Sequence, residues 1–134
     1  MNNVEAKTLT LKSSEDVVRM RQAVREHAIE LGFGLVDQTK LVTAASELAR
    51  NAIIYGGGGE VKVETLTEGE RRGIGLTFSD RGPGIADIQQ ALKDGYTSGN
   101  GLGLGLGGAK RLSNEFHIIS EVGVGTRITI KRWR

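Results

Sequence analysis

The sequence predicts an α+β domain, a two-layer sandwich with helices covering one face of a sheet, and three observations carry that prediction. Two stretches repeat apolar residues at three- and four-residue spacing: Val17, Met20, Val24, Ala28 and Leu31, then Leu41, Ala44, Ala45, Leu48, Ala52 and Tyr55. Two later pairs of stretches, 60–67 with 73–79 and 116–120 with 126–133, are divided by turns and read as antiparallel hairpins. The 134 residues, 38% hydrophobic and 25% charged, suffice for one core and not for two, so 1–134 reads as a single domain.

The elements follow in order. Residues 4–12 alternate loosely and read as a short strand. Ser13 or Ser14 can cap the first helix, whose first turn holds Glu15 and Asp16, where carboxylates complement the positive end of the dipole. Gly32 and Gly34 end it. Asp37 can cap the second helix, which runs to Tyr55 before the glycines 56–59 stop it. In 60–67, Val61, Val63, Thr65 and Thr67 share one face; in 73–79, Ile74, Leu76 and Phe78 do. Short helices are expected over 85–93 and 105–114, and a closing hairpin turns around Gly123 and Gly125.

Composition narrows the function. Eighteen basic against sixteen acidic residues leave a formal charge of +2, too small a surplus to argue for nucleic acid. With no cysteine there is no disulfide framework, thiolate zinc site or cysteine nucleophile. The N-terminal ten residues have no apolar run, and no window reaches 18 apolar residues, so neither a leader nor a membrane partner is expected and the cytoplasm is the default location. Glycine, 20 of 134 residues, is about twice its usual share, and most of the surplus is local, between 95 and 108.

Four short constellations carry chemistry. On the second helix, with Leu41 as zero, Leu48 lies at about −20°, Asn51 at about −80° and Glu47 at about −120°. Both polar groups thus border the apolar stripe, while Arg50, at about 180°, points away. A carboxylate and a carboxamide one turn apart can share a cation or ligand, although alone they are an ordinary helix flank. Asp80-Arg81-Gly82-Pro83-Gly84-Ile85 follows a strand and precedes a helix. A carboxylate there, with glycines admitting a ligand to the backbone, suits a flat donor such as an adenine amino group; it is also simply a turn. The run 99–108 alternates glycine and leucine into a helix start, exposing amides for phosphate, without the Gly-Lys-Ser/Thr of a Walker loop. Gly125-Thr126 opens the last strand.

Taken in order, these four resemble the motif set of the GHKL ATPase superfamily, the Bergerat fold of gyrase, histidine kinases and their relatives. Glu47 to Asn51 looks like its N box, Asp80 to Gly84 like its first glycine box, Gly101 to Gly107 like its second and Gly125-Thr126 like its third. Residues 31–34, 36–38, 46–51 and 131–134 are similar to the small bacterial serine/threonine kinases that include anti-sigma factors and stressosome switch kinases. The resemblance implies a mostly antiparallel mixed sheet, with ATP and Mg²⁺ as cofactors. Glu47 would be the catalytic base toward a serine or threonine hydroxyl, and Asn51 would hold Mg²⁺. Asp80 would accept from the adenine amino group, with Thr126 assisting through water. Gly82, Gly84 and Ile85 would border the base. Gly101, Leu102, Gly103, Leu104, Gly105, Leu106 and Gly107 would wrap the phosphates, and 94–100 would form the ATP lid, open until nucleotide binds. One departure stands out: the sporulation anti-sigma kinases carry a lid arginine, whereas no cation lies between Lys93 and Lys110 here.

Three functions follow from the resemblance. The first is a protein kinase acting on STAS-domain antagonist proteins in a partner-switching pathway and then released to a downstream effector such as a phosphatase. The second is an anti-sigma factor that sequesters a sigma factor and uses its kinase step as a reset. The third, the ATPase domain of a histidine kinase, lacks a dimerisation helix and an acceptor histidine in a suitable context.

Overall fold

The computed structural model describes residues 6–92 and 106–134. Its element order is β1 (Ala6–Leu11), α1 (Ser14–Glu30), α2 (Leu35–Ile54), β2 (Gly59–Glu68), β3 (Arg71–Asp80), α3 (Ile88–Ala91), α4 (Leu106–Arg111), β4 (Glu115–Glu121) and β5 (Gly125–Trp133). The strands form one sheet in the order β1-β2-β3-β5-β4, and every pairing is antiparallel. The mostly antiparallel sheet expected from the resemblance is antiparallel throughout among the described residues. The α+β class holds.

Local chemistry explains the helix ends. Ser13 caps α1: its hydroxyl accepts the Asp16 amide N–H while the Asp16 carboxylate accepts the Ser13 amide N–H, a reciprocal box. Arg19 and the Lys12 amide also donate to Asp16 and hold its carboxyl below the usual value, Arg19 most strongly. The second helix begins three residues earlier than expected. Gly34 is its N-cap, without a side-chain cap bond, and Asp37 lies inside the first turn. Leu35 and Val36, 71% and 65% exposed, break the apolar-inward pattern and hide that start from a periodicity reading. The expected helix at 85–93 shrinks to Ile88–Ala91, because Asp87 caps it by accepting the Gln90 amide. The expected 105–114 helix becomes Leu106–Arg111. Position 105 and the end of the former helix, 93, lie outside the described residues.

The inner face of the sheet presents Leu11, Val61, Val63, Ile74, Leu76, Phe78, Ile128 and Ile130, all buried. Met20, Val24 and Ala28 of α1 and Leu41, Ala44, Ala45, Leu48, Ala49 and Ala52 of α2 pack on it. Four alanines on one face of α2 let the helix lie close to the strands, and burial of each large side chain contributes about 1.5–3 kcal/mol. The outer face carries charge. Trp133 donates to the Glu115 carboxylate at 3.1 Å, which with Lys131 and His117 holds that carboxyl low, and Arg71 stacks 4.2 Å over the indole.

Arg132 is the inward exception on β5. Its guanidinium donates to Asp37 Oδ1 and to the Leu112 carbonyl, each at 2.7 Å, so one side chain ties the start of α2 to the end of α4. Its side chain is 12% exposed and that of Asp37 43%, so loss of the arginine leaves the carboxylate able to hydrate. Arg132→Met retains the apolar stem but removes both bonds, and is expected to lower stability by about 1–3 kcal/mol. Urea denaturation of this variant beside Asp37→Asn, which breaks one bond only and should lose less, checks the assignment.

Candidate functional site

The core opens into a cavity of about 240 Å³ where α2 runs past the ends of β3 and β5. Leu48, Asn51 and Ala52 of α2 and Tyr55 at its C-cap form one wall; Phe78, Asp80, Thr126 and Ile128 of the sheet form another; Pro83, Gly84, Ile85 and Leu106 close the rim. A mostly apolar slot with a few convergent polar groups is suited to a flat heterocycle.

Strand register delivers the polar groups. Asp80, the last residue of β3, stands opposite Thr126 of β5 and Gly59 of β2. Its Oδ1 accepts the Gly82 amide N–H at 2.9 Å, an Asx-type turn that fixes the carboxylate where the strand ends. Gly56, just past α2, lies flat against that carboxylate: a Cβ there would overlap the Asp80 side chain. Gly84 has φ +80° and its missing Cβ would overlap the Glu121 carbonyl, so the loop after β3 can press against the β4–β5 hairpin only with glycine there. The Gly123 amide then donates to the Pro83 carbonyl at 2.9 Å.

Of the residues singled out in sequence, Asn51, Asp80, Gly84, Ile85, Leu106 and Thr126 come together on this one cavity. Gly82 contributes through its amide to Asp80. Glu47 is outside the cavity wall, one turn before Asn51, with its side chain 37% exposed. Arg50 does not simply point away. It bends back to Glu47 Oε1 at 3.2 Å, because a long side chain reaches three positions along a helix whatever the direction of its Cβ. Gly107 is buried in α4; Gly101, Leu102, Gly103, Leu104 and Gly105, with the expected lid, lie outside the described residues.

Sequence reading missed three contributors. Tyr55 and Gly56 were visible only as a helix end, and Ser120 only as a strand residue. Ser120 Oγ accepts the Ile85 amide at 2.7 Å and sits 2.7 Å from Thr126 Oγ1. No signal in the sequence marks Ser120, since only the β4–β5 register sets it opposite Thr126.

This arrangement can be compared with known proteins. The model of the histidine kinase-, DNA gyrase B- and HSP90-like ATPases matches residues 36–133, which include every element of the cavity. The chain belongs to this ATPase family. Among its relatives, the serine/threonine-protein kinase RsbT of Bacillus subtilis is 45% identical over 88% of this chain and 89% of its own. An anti-sigma F factor of Clostridium acetobutylicum is 30% identical, over 98% of this chain and 93% of its own. By this kinship the chain is a kinase that uses ATP. Solved structures agree on the fold. The RsbU and RsbW domains of Rv1364c from Mycobacterium tuberculosis align with TM-score 0.67 at 22% identity, over 99% of this chain, which spans about a third (33%) of that one. The mycobacterial sensor histidine kinase MprB aligns with TM-score 0.56 at 19% identity, over 96% and 97% of the two chains. No helix among the described residues is long and apolar enough to cross a membrane.

Proposed function

We propose that the chain is a serine/threonine protein kinase that moves the γ-phosphoryl group of ATP to STAS-domain antagonist proteins in a partner-switching pathway, and is then released to activate a downstream effector such as a phosphatase. The observation that carries this reading is the convergence of Asn51, Asp80 and Thr126 on one apolar slot, with Glu47 one helical turn away. The 45% identity to a serine/threonine kinase supports the reaction class.

Each residue has a role that its position supports. The Asp80 carboxylate, pinned by Gly82, accepts the adenine amino N–H; Thr126 assists through water; Gly84 and Ile85 border the ring. The resemblance assigns the phosphates to the amides from Gly101 to Gly107 and the lid to 94–100, and of these only Leu106 and Gly107, at the start of α4, are among the described residues. Asn51 holds Mg²⁺ through its carboxamide oxygen. The remaining ligands of such a hard cation would be phosphate oxygens and water. Bound there, Mg²⁺ would supply charge neutralisation on the transferring group. Glu47 takes the proton of the incoming hydroxyl. A cytoplasmic location, without nucleic-acid or membrane partners, goes with this role.

A second reading is favoured by the anti-sigma F factors at about 30% identity: sequestration of a sigma factor, with phosphorylation as a reset. Incubation with labelled ATP, Mg²⁺ and candidate STAS-domain proteins, followed by phosphosite mapping, tests the first. Label on a serine or threonine of such a protein is the expected result. A sigma factor captured in a nucleotide-dependent complex, with no STAS protein labelled, would move the assignment to the second.

A further inference from the structure

Thr126 is governed by the side chain beside it. Ser120 is its cross-strand partner, and their hydroxyl oxygens are 2.7 Å apart. The same Ser120 Oγ accepts the Ile85 amide N–H at 2.7 Å and lies 3.3 Å from the Gly125 carbonyl. A serine hydroxyl has one proton and two lone pairs, and Ile85 occupies one lone pair. Its one proton can go to Thr126 Oγ1 at 2.7 Å or to the Gly125 carbonyl at 3.3 Å, and the shorter contact, inside the usual range of about 2.5–3.0 Å for hydroxyl-to-oxygen bonds, favours Thr126 as the acceptor. In that arrangement Thr126, in the wall of the cavity, accepts from Ser120 and keeps its own proton to donate elsewhere. Asp80, opposite Thr126 in the register, can only accept when ionised.

We infer that Ser120 is a positioning residue that fixes Thr126 as a hydrogen-bond donor and thereby makes the cavity choose adenine over guanine. This rests on the nucleotide reading of the cavity proposed above. The edge of adenine presents an amino donor beside a ring-nitrogen acceptor, whereas guanine presents a carbonyl acceptor beside a ring N–H donor. An acceptor at Asp80 next to a donor at Thr126 complements the first and opposes the second. A water between Asp80 and the ring nitrogen leads to the same requirement, because both its protons go to acceptors and Thr126 can only donate to it. Without Ser120 the Thr126 hydroxyl has no donor behind it, and its proton is free to turn away. The loop after β3 keeps its second tie, from the Gly123 amide to the Pro83 carbonyl, so Ser120→Ala retains the frame of the cavity.

The test is equilibrium binding of ATP, 1-deaza-ATP and GTP to the wild-type chain, Ser120→Ala and Ser120→Thr. In 1-deaza-ATP a C–H replaces the ring nitrogen that Thr126 serves. The wild type should prefer ATP to both analogues. Ser120→Ala should weaken ATP about tenfold, the range of one neutral hydrogen bond, while 1-deaza-ATP changes by less than about twofold. Ser120→Thr, which restores a hydroxyl, should recover most of the ATP affinity. Equal losses for ATP and 1-deaza-ATP would make Ser120 a structural tie only and overturn the inference. A wild-type preference for ATP that survives Ser120→Ala overturns it as well, while leaving the nucleotide site standing. A wild type that does not distinguish the three ligands overturns the nucleotide reading and this inference together.

Discussion

Glu47→Ala is expected to keep ATP binding and to lower phosphoryl transfer by about 10²- to 10⁴-fold, the usual contribution of a general base. The two effects separate because of position. The cavity wall is built from Leu48, Asn51 and the strand ends, and Glu47 is not part of it, so its loss removes nothing that an adenine would touch. It stands one turn before Asn51 on the same helix, where an acceptor hydroxyl approaching the phosphates would meet it. Arg50 provides the control. Its pair with Glu47 is exposed on both sides, 60% and 37%, and such pairs are worth about 0–1 kcal/mol, so Arg50→Ala should alter the rate little. Single-turnover transfer to a STAS partner, measured beside ATP affinity, decides the matter. Undiminished transfer by Glu47→Ala would remove Glu47 from the chemistry.

Much of the site was legible because its residues sit at points that sequence marks clearly. Asn51 is on a strongly periodic helix. Asp80 follows an alternating strand and precedes glycines, and Thr126 follows Gly125 at a turn. The fold brings these together by register, Asp80 opposite Thr126, which an ordered set of motifs implies and which periodicity alone does not. What stayed hidden is of two kinds. Some signals were masked by a second role: Gly56 reads as a helix stop, yet it is also the flat surface against which the Asp80 carboxylate lies. Others have no local signature. Ser120 is one polar residue in a strand, and its significance comes from Thr126 and Ile85, which are six and 35 residues away in the chain. Helix boundaries failed for a simpler physical reason. Exposed Leu35 and Val36 and the Asp87 cap run against the rule that apolar periodicity marks where a helix begins.

Asp80→Asn is expected to weaken ATP by about 1–3 kcal/mol and to shift preference toward GTP. The structure sharpens why the change is not conservative. One carboxylate oxygen of Asp80 is committed to the Gly82 amide at 2.9 Å, so in the wild type the second oxygen is the one left to meet a ligand. An asparagine must satisfy the same Gly82 N–H, and that requires its carbonyl oxygen on that side. Its amino group is then turned to the ligand, a donor facing the adenine amino donor. Guanine presents a carbonyl oxygen at that position and would gain a partner where adenine loses one. The cavity itself should be unchanged, since the two side chains have nearly the same shape and Gly56 remains flat against either. Calorimetric titration of both nucleotides measures the pair of effects. A lower ATP affinity with GTP held or improved is the expected pattern. Unchanged affinity for both would return Asp80 to the role of a turn residue, its carboxylate serving only the Gly82 amide.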